Sequence, residues 1–537
     1  MTKPQLLVRI SLALLCCVAA FPYLGLLPLG PVALDSAEWI ARGSTTNPDW
    51  REWVFATQHF GVGYRPVAAL SFTINQGVGG FAPWIFRTTD LLIHLVSGLL
   101  VYTLYVALTH RDARRHLGGI VAAAIFLAHP AVQDVLPILA RRSYLLANFF
   151  SLAALCVFAR SLARHGMEAS AGPGIASGLL LSLALFSNES SAISIVLVPA
   201  VAATVLATTA WRNLLAASAV PLAISGFAVA LRLTLLGGVG GYDVGAFSLT
   251  RAGAICAAAW QGISGANGVE AAPGLVALLF LLISAIGFRT VRSFSQLDES
   301  GNAALLLGAA WLTGTTVLYA SQGVWYPRQT YLMLAPLALV VSALAVGTLG
   351  TDARAWFERA PALLLCGVLL WLSPVSRGVD ALLLDRLEAR NARITEMKRV
   401  VDSAEAPALV QLVIPFRRSE GPQNPLRAGT APELHRDYFT AEVWLNALLR
   451  GAPTRVANLV FYEATEGAAP SFAPATSAQP ATLQLDTRGY RVGGTTAEPA
   501  VSETPSPTQI RLERKTPPDV AEYLLILVEG RAQLYPL

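Results

Sequence analysis

The chain has 537 residues, 54% hydrophobic and only 14% charged, with a mean hydropathy of +0.53. A soluble domain carries roughly a quarter charged residues, so this composition excludes one large water-soluble enzyme. The formal net charge of +5 comes largely from arginines in short loops, which argues for membrane orientation and against a nucleic-acid partner.

Apolar runs of about 15–25 residues recur along the chain and predict an all-α polytopic membrane domain of about eleven transmembrane helices. Spans are expected near 6–28, 83–109, 117–131, 143–164, 174–187, 190–209, 213–236, 273–288, 302–320, 329–349 and 360–376. The first has a basic start and an apolar run too long for a cleaved signal peptide, and reads as a retained span. Between the first and second spans lies a loop, 30–75, rich in chemistry. It carries Asp35, Glu38, Asp49, Glu52, His59 and Arg65 among Trp39, Trp50, Trp53 and Tyr64. Such a loop is either a reaction site at headgroup level or a solvated connector with interfacial aromatics.

Arginines fall after alternate spans: Arg111, Arg114 and Arg115, then Arg160 and Arg164, Arg212, Arg289 and Arg292, and Arg354 and Arg359. The positive-inside rule puts these loops and the N-terminus in the cytoplasm. The loop 30–75, the segments 129–142, 187–190, 237–249 and 321–328, and the C-terminal region are then extracytoplasmic. The Gly-rich stretch 250–274 reads as an interfacial helix. The five cysteines all lie in apolar segments, so neither a disulfide framework nor metal-ligand spacing is expected.

Composition changes after the last span. Residues 1–377 form the membrane domain, and 378–537 read as a small extracytoplasmic α/β domain. A helix is expected over 381–404, with Leu384, Leu387, Ile394, Met397 and Val401 on a stripe. Strands are expected at Leu409–Ile414, Val456–Tyr462, Thr482–Leu485, Gln509–Leu512 and Tyr523–Val528. The Pro/Ala/Ser/Thr-rich stretches 464–481 and 494–508 read as loops. No catalytic motif stands out there, which favours a binding or structural role.

Ionisable groups inside spans are costly and therefore informative. Arg87, Asp90 and His94 share one face of the second span. They either line a polar cavity or form an internal ion pair beside a packing histidine. His129 with Pro130 closes one apolar run, and Arg141 with Arg142 opens the next. An arginine pair on the outer side opposes the positive-inside rule, and its planar forks suit a phosphate partner. Arg328, beside Tyr326 and Tyr331, and Arg65 are further outward arginines. No phosphate-loop, nucleophile-elbow or zincin motif occurs, which argues against a nucleotide-driven pump or a zinc protease.

Taken together these residues resemble the C-type fold of integral membrane glycosyltransferases, in particular the transmembrane-and-tetratricopeptide O-mannosyltransferase branch and its bacterial relatives. The first-loop pattern is met by Asp35, Ile40, Phe60–Gly61, Tyr64–Arg65–Pro66, Leu70, Phe72 and Asn75. Asp90 and His94, His129–Pro130 with Asp134 and Arg142, Ser187–Asn188–Glu189, and Arg328 with Tyr331–Leu332 follow in order. Ser36, His59, Arg141 and Asn188 stand where the family has Asp, Asp, Gly and Lys, Asp134 stands for Glu, and the 378–537 region stands in place of tetratricopeptide repeats.

The resemblance implies a polyprenyl-phosphate sugar as donor, a protein or glycan acceptor, and an inner-membrane location. It implies Asp35 as catalytic base and Arg142 and Arg328 as donor-phosphate ligands. Arg65, Asp90, His94, His129, Glu189 and Tyr331 would support the cavity, with Glu38 as a second acid. It implies no cofactor beyond the lipid-linked donor and leaves a divalent metal open. Two other functions stay open: an inactive scaffold or lipid-phosphate binder of the same fold, and a transporter or flippase.

Overall fold

The computed structural model describes residues 3–236 apart from 32–35, 46, 58, 60–62, 111, 113, 169–170 and 209, parts of 253–259, and 302–348 apart from 323–325. Beyond 387 it describes 388–416 apart from 390, parts of 444–449, and the strands that follow to the C-terminus. The chain divides into two compact units, and the division is not linear in sequence. One comprises Met1–Leu27, Pro48–Asn75 and Trp84–Leu382; the other comprises Pro28–Asn47, Gln76–Pro83 and Leu383–Leu537.

The first unit is helical. Its helices are α1 (Lys3–Ala20), α3 (Trp50–Phe55), the greater part of α4 (Pro66–Gly79), α5 (Pro83–Leu108), α6 (Arg115–Ala128), α7 (Arg142–His165), α8 (Ala171–Ser187), α9 (Ala192–Val196), α10 (Val198–Leu206), α11 (Trp211–Leu236), α12 (Asn302–Gln322) and α13 (Thr330–Thr348); α2 (Ser36–Arg42) belongs to the second unit. Six helical segments among the described residues are long and apolar enough to cross a membrane: Leu6–Leu26, Pro83–Leu108, Leu139–His165, Glu189–Leu206, Trp211–Leu236 and Asn302–Ser321. Shorter apolar helices cover Arg115–Ala128, Ala171–Ser187 and Thr330–Val346. The expected spans 273–288 and 360–376, and most of the expected interfacial helix 250–274, lie outside the described residues.

Two local differences from the sequence reading have clear causes. The expected span 190–209 is broken into α9 and α10, because Pro199 sits in the first turn of α10 and cannot donate into a continuous helix. The loop 30–75 contains α4, started by Pro66 at its first position, where a missing N–H costs nothing. At 14 residues α4 is too short to read as a span. Ala68, Ala69 and Phe72 on it are buried, while Leu70, Ile74 and Val78 form an exposed apolar stripe.

Within this unit α7 packs on α8, α8 on α11, α12 on α13 and α13 on α6. Small residues set some of these approaches. A Cβ at Gly118 of α6 would lie 2.3 Å from the Tyr105 ring of α5, so only glycine allows that crossing.

Among the described residues the second unit contains α2, a helix over 391–401, and eight strands: β1 (Ala408–Phe416), β2 (Arg455–Ala464), β3 (Ser471–Ala473), β4 (Thr482–Leu485), β5 (Thr487–Val492), β6 (Thr508–Arg511), β7 (Ala521–Val528) and β8 (Arg531–Pro536). One sheet has the order β5-β2-β1-β7-β8, with β2, β1 and β7 parallel and the two edges antiparallel. A smaller antiparallel sheet has the order β3-β4-β6. The five expected strands are present; β3, β5 and β8 were not expected, and β3 falls in a stretch read as loop. Val410, Leu412 and Val413 on the central strand are fully buried, as parallel strands covered on both faces require.

Candidate functional site: an arginine cluster beside a buried charge network

Arg142 opens α7 after the short turn Leu139–Arg141 and is fully buried. Its Nε donates to Asp90 Oδ1 at 2.5 Å, Nη1 to Asn75 Oδ1 at 2.9 Å and Ser71 Oγ at 3.5 Å, and Nη2 to the Phe86 carbonyl at 2.8 Å. The guanidinium carbon sits 4.1 Å from the centre of the Phe72 ring. Arg87 Nη1 donates to the Pro137 carbonyl at 2.8 Å. Arg87 and Asp90 are 4% and 1% exposed, so the stripe on α5 is an internal charged network rather than a cavity wall.

This revises the reading of Arg142. Its donors are taken up by the chain's own acceptors, and its surroundings support a structural pin rather than a phosphate ligand. Arg141 is likewise held internally: its Nη1 donates to the Asp134 carbonyl and lies 4.0 Å from the Asp134 carboxylate. The anions that hold the arginine pair in place are therefore Asp90 and Asp134.

His94 is fully buried between three helices. With its proton on Nε2 it donates to the Leu127 carbonyl at 3.3 Å, and Nδ1 accepts from the Tyr331 hydroxyl at 3.0 Å. Phe126 packs on the imidazole at 5.3 Å. Both ring nitrogens are thus satisfied, which makes His94 and Tyr331 a link between α5, α6 and α13. His129 caps the turn Pro130–Asp134, accepting from the Ala131 N–H at 3.1 Å. Glu38 lies in the first turn of α2, 3.8 Å from Arg42 one turn on, which suits a helix-stabilising residue. Asp35 lies outside the described residues.

Positions i and i+2 of a helix point about 200° apart, so Tyr144 faces away from Arg142. Around Tyr144 a second constellation forms. The Arg328 Nε donates to its hydroxyl at 3.2 Å, and the Arg328 and Arg65 guanidinium carbons each lie 6.0 Å from its ring centre. Arg65 grips Glu189 with a two-pronged fork, Nη2 to Oε1 at 2.8 Å and Nε to Oε2 at 3.3 Å. Arg232 of α11 approaches the same carboxylate at 3.6 Å and donates to the Tyr64 carbonyl at 2.8 Å. Arg65 and Arg328 thus meet at Tyr144, and Arg65 and Arg232 meet at Glu189.

The sequence reading anticipated Arg65, Glu189 and Arg328 but missed Arg232 and Tyr144. A lone arginine near the end of an apolar span was the available signal for Arg232.

His59 anchors the turn that presents Arg65. It is 1% exposed; Nε2 donates to the Trp53 carbonyl at 2.9 Å, and Nδ1 accepts from the Arg65 N–H at 3.3 Å. Burial holds its pKa below the ordinary 6.5, and the nearby Arg65 charge adds to that. The unfolded chain therefore binds the proton more readily than the folded one. The contribution of His59 to stability is complete above the unfolded value and is lost as pH falls towards the folded one. Thermal midpoints of detergent-solubilised protein are expected to fall from pH 7.5 to pH 5, with a shallower fall for His59→Gln. An identical slope in both proteins excludes this titration.

No family model matches the chain. Curated proteins do match. Over 197 residues it is 28% identical to protein O-mannosyl-transferase TMTC1 of Mus musculus, covering 31% of this chain and 20% of that protein. Over 132 residues it is 32% identical to protein O-mannosyl-transferase Tmtc2 of Drosophila melanogaster, covering 22% and 13%. The similarity is to protein O-mannosyltransferases. It is also seen with human TMTC2, at 27% identity over 24% of this chain and 15% of that one. The matched part thus spans a fifth or less of these relatives' own length. The resemblance expected from the ordered motifs is borne out by these O-mannosyltransferases, and multi-pass membrane character by the apolar helices.

Among solved structures, apo ArnT from Cupriavidus metallidurans aligns over 83% of this chain and 85% of its own, with 14% identity and a TM-score of 0.46. An oligosaccharyltransferase from Archaeoglobus fulgidus aligns over 84% and 63%, with 12% identity and a TM-score of 0.42. Both likenesses are loose.

Proposed function

We propose that the chain is a membrane glycosyltransferase that moves a sugar from a polyprenyl-phosphate donor to an acceptor hydroxyl on the extracytoplasmic side. The observation that carries the reading is the cluster of Arg65, Arg232 and Arg328 around Tyr144 and Glu189. Guanidinium groups gathered in one place suit a phosphate that becomes a leaving group, where fixed cations stabilise developing negative charge. The similarity to O-mannosyltransferases makes a lipid-linked mannose and a protein hydroxyl the first pair to test.

In the proposed step the acceptor oxygen attacks the anomeric carbon as Asp35 takes its proton. The bond from that carbon to the phosphate oxygen breaks, and the polyprenyl phosphate leaves with the electron pair. Asp35 enters on the motif resemblance. Arg328, on Tyr144, is the proposed phosphate ligand in place of Arg142, with Arg65 and Arg232 setting the local field.

The test is transfer from polyprenyl-phosphate sugars in membranes carrying the chain. Arg328→Ala is expected to raise the donor KM about 10–100-fold, the loss of a charged hydrogen bond. Failure of the folded wild type to use any such donor refutes the reading. Donor binding without turnover would support a lipid-phosphate binder, the alternative that Ser36 favours by removing one of the family's two carboxylates.

A further inference from the structure

The second unit gathers two stretches of the first-loop region with the C-terminal part of the chain. The Gly30 N–H donates to Asn391 Oδ1 at 3.1 Å, across 361 positions of sequence. Phe81 meets Trp444 edge to face, with ring centres 5.6 Å apart and planes at 80°. Trp444 is buried. Between these two anchors the stretches are tied to each other, since the Thr45 N–H and hydroxyl both donate to Gln76 Oε1, at 3.0 and 2.9 Å. Asn47 Nδ2 donates back to the Arg42 carbonyl at 2.9 Å, closing the segment that follows α2. Ala37, Trp39 and Ile40 of α2 are buried.

We propose that Asn391 and Trp444 are positioning residues for the transfer reaction. The C-terminal domain holds residues 28–47, the stretch to which Asp35 belongs in sequence, through the Gly30–Asn391 hydrogen bond, and holds 76–83, tied to that stretch by Thr45 and Gln76, through the Phe81–Trp444 contact. A connector of this length loses conformational freedom when it is ordered, and anchors formed in advance remove that cost from each turnover. The inference rests on the glycosyltransferase reading, and it makes the C-terminal domain a clamp on the loop rather than a recruiter of partners.

The experiment uses the full chain purified in detergent, with Asn391→Ala and Trp444→Ala made singly. Hydrogen exchange in 28–47 and 76–83 is expected to accelerate about tenfold, with α5 to α8 unchanged. Turnover is expected to fall about tenfold while the donor KM stays near wild type, because the arginines proposed to meet the donor lie outside 28–47 and 76–83. Asn391→Asp, which keeps an acceptor for the Gly30 N–H, and Trp444→Phe, which keeps an aromatic edge, are expected to restore both readouts. Unchanged exchange overturns the anchoring, and faster exchange with full turnover overturns the positioning role. A wild type without transfer activity refutes the glycosyltransferase reading instead, and the exchange comparison still decides the anchoring.

Discussion

Arg142→Ala is expected to cost about 3–5 kcal/mol of stability, enough to leave little folded protein. The substitution strands Asp90, a carboxylate that is 1% exposed and whose Oδ2 has no hydrogen-bond partner among the described residues. Its other oxygen loses a donor at 2.5 Å, and Asn75 Oδ1 and the Phe86 carbonyl lose theirs at 2.9 and 2.8 Å. A void also opens against Phe72. Removing both charges together is far milder, because a buried ion pair replaced by apolar groups is often near neutral; Asp90→Leu with Arg142→Met is expected to recover most of the loss. Thermal unfolding midpoints and the yield of monodisperse protein report both outcomes. A normally folded Arg142→Ala protein that has lost only donor binding would return Arg142 to the role of phosphate ligand.

Asp35→Asn is expected to lower transfer about 100–10,000-fold, the usual contribution of a positioned general base. Asparagine keeps the shape and much of the hydrogen bonding but cannot accept the proton. Donor affinity is expected to stay within about twofold, since the carboxylate acts on the acceptor hydroxyl in the transition state. Ser36 occupies the position of the family's second carboxylate, so the neighbouring residue cannot take the proton, and Asp35→Asn with Glu38→Gln tests whether Glu38 does. Full transfer by Asp35→Asn in membranes would remove the assignment of the base.

The long apolar spans were legible because length and hydropathy are summed over many residues. α5, α7, α11 and α12 lie close to where the sequence placed them. α4 was not legible because, although it is as apolar on average as longer helices, its 14 residues fall short of a span. The family motifs brought Arg142 into view yet could not say that it spends its donors inside the fold. The groups that take them up, Asp90, Asn75 and Phe86, are each more than 50 residues away from Arg142 along the chain. Arg232 was hidden by the opposite error, a single charge overlooked within a span.

The Arg142–Asp90 pair also imposes an order on biosynthesis. Its members lie 52 positions apart, on helices separated by α6. At a synthesis rate of about 5–20 residues per second, the acid emerges from the ribosome roughly 3–10 s before its partner exists. During that interval Asp90 of α5 lacks its closest donor and has only Arg87 of the same helix nearby, a charged pair that hydrocarbon disfavours. The nascent helix is therefore expected to wait at the insertion machinery, or in the polar surface layer, until α7 arrives. A ribosome stalled between the two should leave α5 extractable by alkaline carbonate, whereas one stalled after α7 should not.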